Sequence, residues 1–256
     1  MKLNRSLVLV ALPAMLFGQQ ASTPRPAVEI KVLSSSNMQP IWAEVAPLFE
    51  KTTGHRLFIT IVEAVPVKDR IVAGSDADVA ITQRQLLDDL LVQRKLAPGI
   101  VDIARSTVSV VVRAGAPKPA VASVEALRAS LVAAKSIAYP DPKAGGLAGI
   151  YFARALEQLG LADRMRSKTR LADNGQAACR LVSSGEVELG IAQTSTARAA
   201  PGVESAGILP RQLGVDIVVS AGIVAGTPQP EASLQLIRFL TSPSVASIIR
   251  ASGMEP

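Results

Sequence analysis

Chemically reactive side chains are scarce in this chain of 256 residues, which has one cysteine, one histidine, one tryptophan and two tyrosines. Cys179 has no second thiol to pair with, so no internal disulfide supports the fold. His55 is equally alone, which leaves a His/Cys zinc site short of ligands, and no metal or other cofactor is expected. Catalysis by a Ser-His-Asp or Cys-His pair would have to run through that one ring. Aromatic residues make up 3% of the chain, too few for the stacking platforms that bind single-stranded nucleic acid. Charge of one sign never accumulates: the net +6 comes from scattered basic residues, so no nucleic-acid partner is expected. Long apolar runs are missing as well. The one conspicuous run, 7–17, is shorter than the roughly 20 residues a membrane span needs.

That run has a use of its own. Lys2 and Arg5 precede it and Gly18 and Ala21 follow it, the three-part order of a secretory signal peptide over 1–21. The expectation is an exported chain, soluble once the leader is cut and, in a Gram-negative cell, periplasmic.

Beyond the leader, strand-like and helix-like periods alternate almost to the end. Alternating or β-branched runs at 29–33, 56–62, 77–82, 108–113, 136–139, 189–192 and 216–224 read as strands. Helical spacing marks 67–73, 84–96, 124–133, 149–159, 175–183, 231–240 and 244–250. A further helix opens after Ser34–Asn37, whose side chains are suited to capping it, and buries Met38, Ile41, Trp42, Val45 and Phe49 on one face. The β-α-β-α-β order implies parallel strands with helices on both faces, repeated in two similar series. The fold class is therefore α/β with two lobes and a ligand cleft between them, one lobe from 27–108 plus 218–256 and the other from 109–217.

Three loops at strand ends could carry chemistry. Ser34–Asn37 joins a strand to a helix start, where unpaired N–H groups and the helix dipole favour an anion. The stretch 141–151, Asp-Pro-Lys-Ala-Gly-Gly-Leu-Ala-Gly-Ile-Tyr, is small enough for a ligand to reach backbone amides, but it lacks the Gly-Lys-Ser/Thr of a nucleotide phosphate loop. The third is 190–195, Gly-Ile-Ala-Gln-Thr-Ser. The charged singles read as plain structure: Lys68, Arg70 and Arg84 as solvated helix positions, Asp78 as a strand-end residue that fixes a loop, and His55 as a turn residue. Cys179 reads as a small buried side chain. No pair of carboxylates has a spacing that suggests acid/base work, so no catalytic residue is assigned.

At these loops the chain resembles the periplasmic molybdate-binding proteins, type II solute-binding proteins of ABC importers. Four stretches carry the resemblance: 32–37 through 49–54, 71–82, 148–156 and 189–192. The resemblance implies a two-lobed fold of the type II kind and a small oxyanion or organic anion held by neutral donors. Its contacts would come from Ser36, Asn37, Ala64 and Val65 on one lobe, and from Gly146, Ala148, Gly149, Asn174 and Gln193 on the other. It further implies a monomer that meets an ABC transporter permease. The chain departs from the molybdate pattern at three places. Asn37 stands where a serine is usual, Gln193 stands where a tyrosine is usual, and the turn 62–66 has lost its hydroxyls and gained Glu63. Some relatives isomerise small tricarboxylates such as aconitate. On that alternative Glu63 is the base to consider first.

Overall fold

A computed structural model describes residues 26–213 and 217–256. The leader expected at 1–21 and the first residue of the strand expected at 216–224 lie outside the described residues.

The chain runs β1 (Glu29–Ser35), α1 (Gln39–Thr53), β2 (Arg56–Val62), α2 (Ala64–Val72), β3 (Val79–Gln83), α3 (Arg84–Val92), β4 (Val101–Ser106) and β5 (Val108–Arg113). It continues through α4 (Val124–Ala133), β6 (Ile137–Pro140), α5 (Leu147–Gln158), α6 (Ala162–Arg166), β7 (Thr169–Ala172), α7 (Gly175–Ser183) and β8 (Leu189–Gln193). It ends with α8 (Thr194–Ala199), β9 (Val203–Ile208), β10 (Ile217–Ile223), α9 (Pro230–Leu240) and α10 (Pro243–Ala251).

Among the described residues the strands form two five-stranded sheets, ordered β2-β1-β3-β10-β4 and β7-β6-β8-β5-β9. The fold is mixed α/β and two-lobed. β1 pairs in parallel with both β2 and β3, and β6 with both β7 and β8. The expectation of parallel strands holds only for these six. β10 runs antiparallel to β3 and β4, and β5 runs antiparallel to β8 and β9. The chain passes from the first sheet to the second at Thr107 and returns with β10, so each sheet takes a strand of reversed direction at its crossover.

Central strands are the most apolar because helices cover both faces: all five residues of β3 and of β8 are buried. α1 lays Ile41, Trp42, Val45 and Phe49 into the first core, and Phe49 meets Phe239 of α9 edge-on at 5.3 Å. Gly54, in the left-handed region at φ 77°, stops α1 and sends its N–H back to the Glu50 carbonyl. Asp78 does fix a loop: one carboxylate oxygen accepts the Lys31 N–H at 2.7 Å and the other the Thr227 hydroxyl. Cys179 is 1% exposed and burial pushes its thiol up to about 11, so it packs and does not react. His55, a turn residue, is buried between the Val28 N–H and the side chain of Gln235. Among the described residues no single helix is long and apolar enough to cross a membrane.

One consequence of this topology places the site. In each sheet the strand order reverses about a central parallel strand, β1 in one and β6 in the other. Crevices open at the carboxyl ends of strands at such switch points. Ser36 follows β1, Glu63 follows β2, Gly146 follows β6, Asn174 follows β7 and Gln193 ends β8.

Candidate functional site

On the first lobe, β1 ends in a single 3-10 turn, Ser36–Met38, before α1 begins. The sequence suggests that this Ser/Asn cluster caps the helix, but no side chain there does so. The cluster satisfies itself instead. The Ser35 hydroxyl donates to Asn37 Oδ1 at 2.6 Å, and the Trp42 indole N–H donates to Ser34 Oγ at 2.9 Å. One group is left over: Asn37 is 2% exposed and its Nδ2 has no hydrogen-bond partner. An orphan donor of this kind costs about 1–3 kcal/mol, so the amide is poised for an acceptor.

Glu63 is the residue that caps the start of α2 by position, with extended backbone, yet its side chain does not bond the helix. The carboxyl is partly buried, which raises its pKa, and the Ser36 hydroxyl donates to it, which offsets part of that rise. Ala64 is buried just beyond it, and its carbonyl accepts the Thr82 hydroxyl at 3.1 Å, fixing the helix start to β3.

The second lobe presents the glycine-rich loop. Asp141 Oδ1 accepts the Lys143 N–H at 2.9 Å and tightens the turn, and Gly145 takes the left-handed conformation at φ 79°. Gly146 then starts α5, whose first turn offers the amides of Leu147, Ala148 and Gly149. A β carbon on Gly149 would sit 2.0 Å from the Pro140 carbonyl oxygen, so this glycine lets α5 lie directly on β6. A β carbon on Gly145 would sit 2.7 Å from Pro66 and 2.8 Å from Val65, and one on Gly146 would sit 2.7 Å from Glu63 Oε2. Asn174 caps α7 through Oδ1, which accepts the Ala177 N–H at 2.9 Å. Gln193 is buried at the end of β8, with its Oε1 3.5 Å from the Ser106 hydroxyl.

The lobes touch in this structure. Ser195 Oγ donates to the Asn37 carbonyl at 3.1 Å, the Val65 N–H to the Gly145 carbonyl at 3.2 Å, and Gln83 Nε2 to the Tyr151 hydroxyl at 2.5 Å. Gln176 Nε2 adds a fourth bond to Gln39 Oε1 at 3.1 Å. Ser36, Asn37, Ala64, Val65 and Gly146 are thereby brought together, with Ala148 and Gly149 in the helix turn behind. Asn174 and Gln193 stand at the neighbouring strand ends. The Val65 amide is already taken by Gly145 in this closed arrangement. Gln83 and Tyr151, and Gln39 and Gln176, lie far apart in the chain, and no local pattern points to either pair. Ser195 stood in the third candidate loop without an assigned role.

Chemically, the place where the lobes meet offers hydroxyls, amide N–H groups, a helix N-terminus and one carboxyl. Among the described residues no three of His, Cys, Asp and Glu are placed to hold a metal ion. A hollow of about 500 Å³ lies elsewhere, at the start of β1, lined by Lys31, Asp76, Asp78 and Gln229 among others.

These features define a two-lobed binding protein of the type II class. The chain belongs to the bacterial extracellular solute-binding protein family, whose model matches residues 30–255. It is similar to an aconitate isomerase from Pseudomonas sp, 31% identical over 261 residues that cover 98% of this chain and 97% of that protein. It is also similar to the molybdate-binding protein ModA of Escherichia coli, 25% identical over 228 residues, 88% of each chain. The solved periplasmic molybdate-binding protein of Azotobacter vinelandii shares the fold, with a TM-score of 0.74 at 23% identity over 89% of this chain and 99% of that one.

Proposed function

We propose that this protein is the periplasmic binding component of an ABC-type importer that encloses a small organic anion and presents the closed form to a permease. The lobes that close would be 27–108 with 218–256 and 109–217. The observation that carries the reading is the orphan Asn37 amide, buried and without a partner, beside the point where Glu63 meets Gly146. Neutral donors and a helix N-terminus suit an anion without demanding a counter-charge. Molybdate fits less well, because the turn after β2 offers a carboxyl where molybdate binders place a hydroxyl. The full-length similarity to an aconitate isomerase, above that to a molybdate binder, favours carboxylates as the ligand class. Calorimetric titration with trans-aconitate, citrate, molybdate and sulfate is the test. Binding of a carboxylate in a 1:1 ratio supports the reading, and silence with all four overturns it.

One observation favours a second reading, isomerisation of a small tricarboxylate such as aconitate on the same scaffold. Burial raises the pKa of Glu63, as a general base working near neutrality requires. Such a base takes a proton from a methylene carbon and returns it to the other end of the same three-carbon unit, moving the double bond with no net change in atoms or electrons. Proton NMR of trans-aconitate with the purified protein tests this. Turnover that survives Glu63→Gln removes Glu63 from that role.

A further inference from the structure

We propose that Glu63 sets the specificity of this cleft by holding a proton whenever an anion is enclosed, so that its O–H and the Asn37 amide grip one carboxylate of the ligand together. This rests on the binding reading above.

The geometry begins with what Glu63 does not do. It stands at the start of α2, where a carboxylate ordinarily bonds the helix amides, yet its side chain makes no such bond. It is turned toward the other lobe, with Oε2 at 2.7 Å from the position a β carbon on Gly146 would take. Gly146 is thus the residue that leaves room for a carboxyl there. On the near side the group that offsets part of its raised pKa is the hydroxyl of Ser36, the residue next to Asn37. Asn37 Nδ2 is buried and unpartnered, and Oδ1 of the same amide is already occupied by Ser35. Two donors, one from a protonated carboxyl and one from an amide, match the two oxygens of a carboxylate. An ionised Glu63 would instead repel an anion enclosed beside it, in surroundings drier than water.

The charges around Glu63 do not compensate it. The ionisable side chains on the elements packed around it are Lys68, Asp69 and Arg70 of α2, Asp141 and Lys143 of the glycine-rich loop, Tyr139 of β6, and Tyr151, Arg154 and Glu157 of α5. The causes of its perturbation are burial and Ser36 alone. The turn Ser36–Met38 has no ionisable group. With no cation at hand, the route by which Glu63 can share the cleft with an anion is to take up a proton. Tetrahedral oxyanions that need hydroxyl donors on every side would be disfavoured by the same group.

The experiment is calorimetry of the purified full-length mature protein with trans-aconitate, in pairs of buffers that differ in ionisation enthalpy. It is run between about pH 7.5 and 9, where the ligand's own carboxyls are ionised. The expected result is uptake of up to one proton per ligand bound and a dissociation constant that rises by as much as about tenfold per pH unit. Glu63→Gln, which keeps a neutral donor, is expected to bind with no proton uptake and a flat pH profile. Thermal melts confirm that this variant is folded. The proton count on the unaltered protein decides the matter even if the variant fails to fold. Carboxylate binding without proton uptake, with proton release, or with the same uptake in Glu63→Gln overturns the inference while leaving the binding reading intact. Absence of binding by trans-aconitate, citrate, molybdate and sulfate alike overturns the two together.

Discussion

The Glu63 carboxyl occupies the space that a side chain on Gly146 would need, with Oε2 2.7 Å from where that β carbon would stand. One residue comes from the turn after β2 and the other from the start of α5, so their contact is also a contact between the two sheets.

Gly146→Ala should therefore weaken ligand binding far more than it weakens the fold. The methyl group has to push aside only the flexible tip of Glu63, and the displaced carboxyl costs binding about the worth of one hydrogen bond, about 0.5–1.5 kcal/mol, or roughly 2- to 13-fold in affinity. Calorimetry against the unaltered protein measures the affinity. Thermal melting in the absence of ligand is expected to shift little, because the clash lies between lobes and spares both cores.

The pH dependence of stability carries a sign. Burial raises the Glu63 pKa in the folded state, so its protonated form stabilises the fold below the ordinary carboxyl value near 4.5, and that contribution is lost as pH rises through the raised value. Glu63→Gln removes the loss. Its melting temperature relative to the unaltered protein is expected to climb between acid and neutral pH. A constant difference across that range contradicts the assignment.

Gly149→Ala tests the seating of α5 on β6. A β carbon 2.0 Å from the Pro140 carbonyl oxygen cannot be accommodated without moving backbone, and backbone is costlier to move than a side-chain tip. A loss of about 1–3 kcal/mol is expected, read as a lower urea midpoint with the slope unchanged.

Two of the bonds between lobes can be cut without replacing any proposed ligand residue. Tyr151→Phe removes the bond from Gln83, and Ser195→Ala removes the bond to the Asn37 carbonyl. At a net of about 0.5–1.5 kcal/mol each, the double variant should shift the population toward an open form by roughly 5- to 150-fold. Small-angle X-ray scattering without ligand should show a larger radius of gyration, restored by saturating ligand.

Much of this architecture is legible in the chain itself. Val108–Arg113, Val124–Ala133 and Gly175–Ser183 stand where their periodicity places them, because each buries a continuous apolar stripe. The strands that escape reading are β4, β7 and β9. All three are sheet edges with charged or exposed residues along them, as unpaired edges require, so neither alternation nor an apolar run marks them. The candidate site divides the same way. Ser36, Asn37 and the glycine loop are visible as strand-end clusters, and Glu63 as an odd charge in a small turn. The bonds from Gln83 to Tyr151 and from Gln39 to Gln176 join positions 68 and 137 residues apart, and only the closed fold brings them together.

Whether a carboxylate ligand is held where the two sheets meet is tested most directly by a crystal structure of the protein grown with trans-aconitate. The expected result is a ligand carboxylate within about 3 Å of Asn37 Nδ2, with its second oxygen facing Glu63 beside Gly146. A ligand bound elsewhere, or one that leaves Asn37 Nδ2 without a partner, would contradict it.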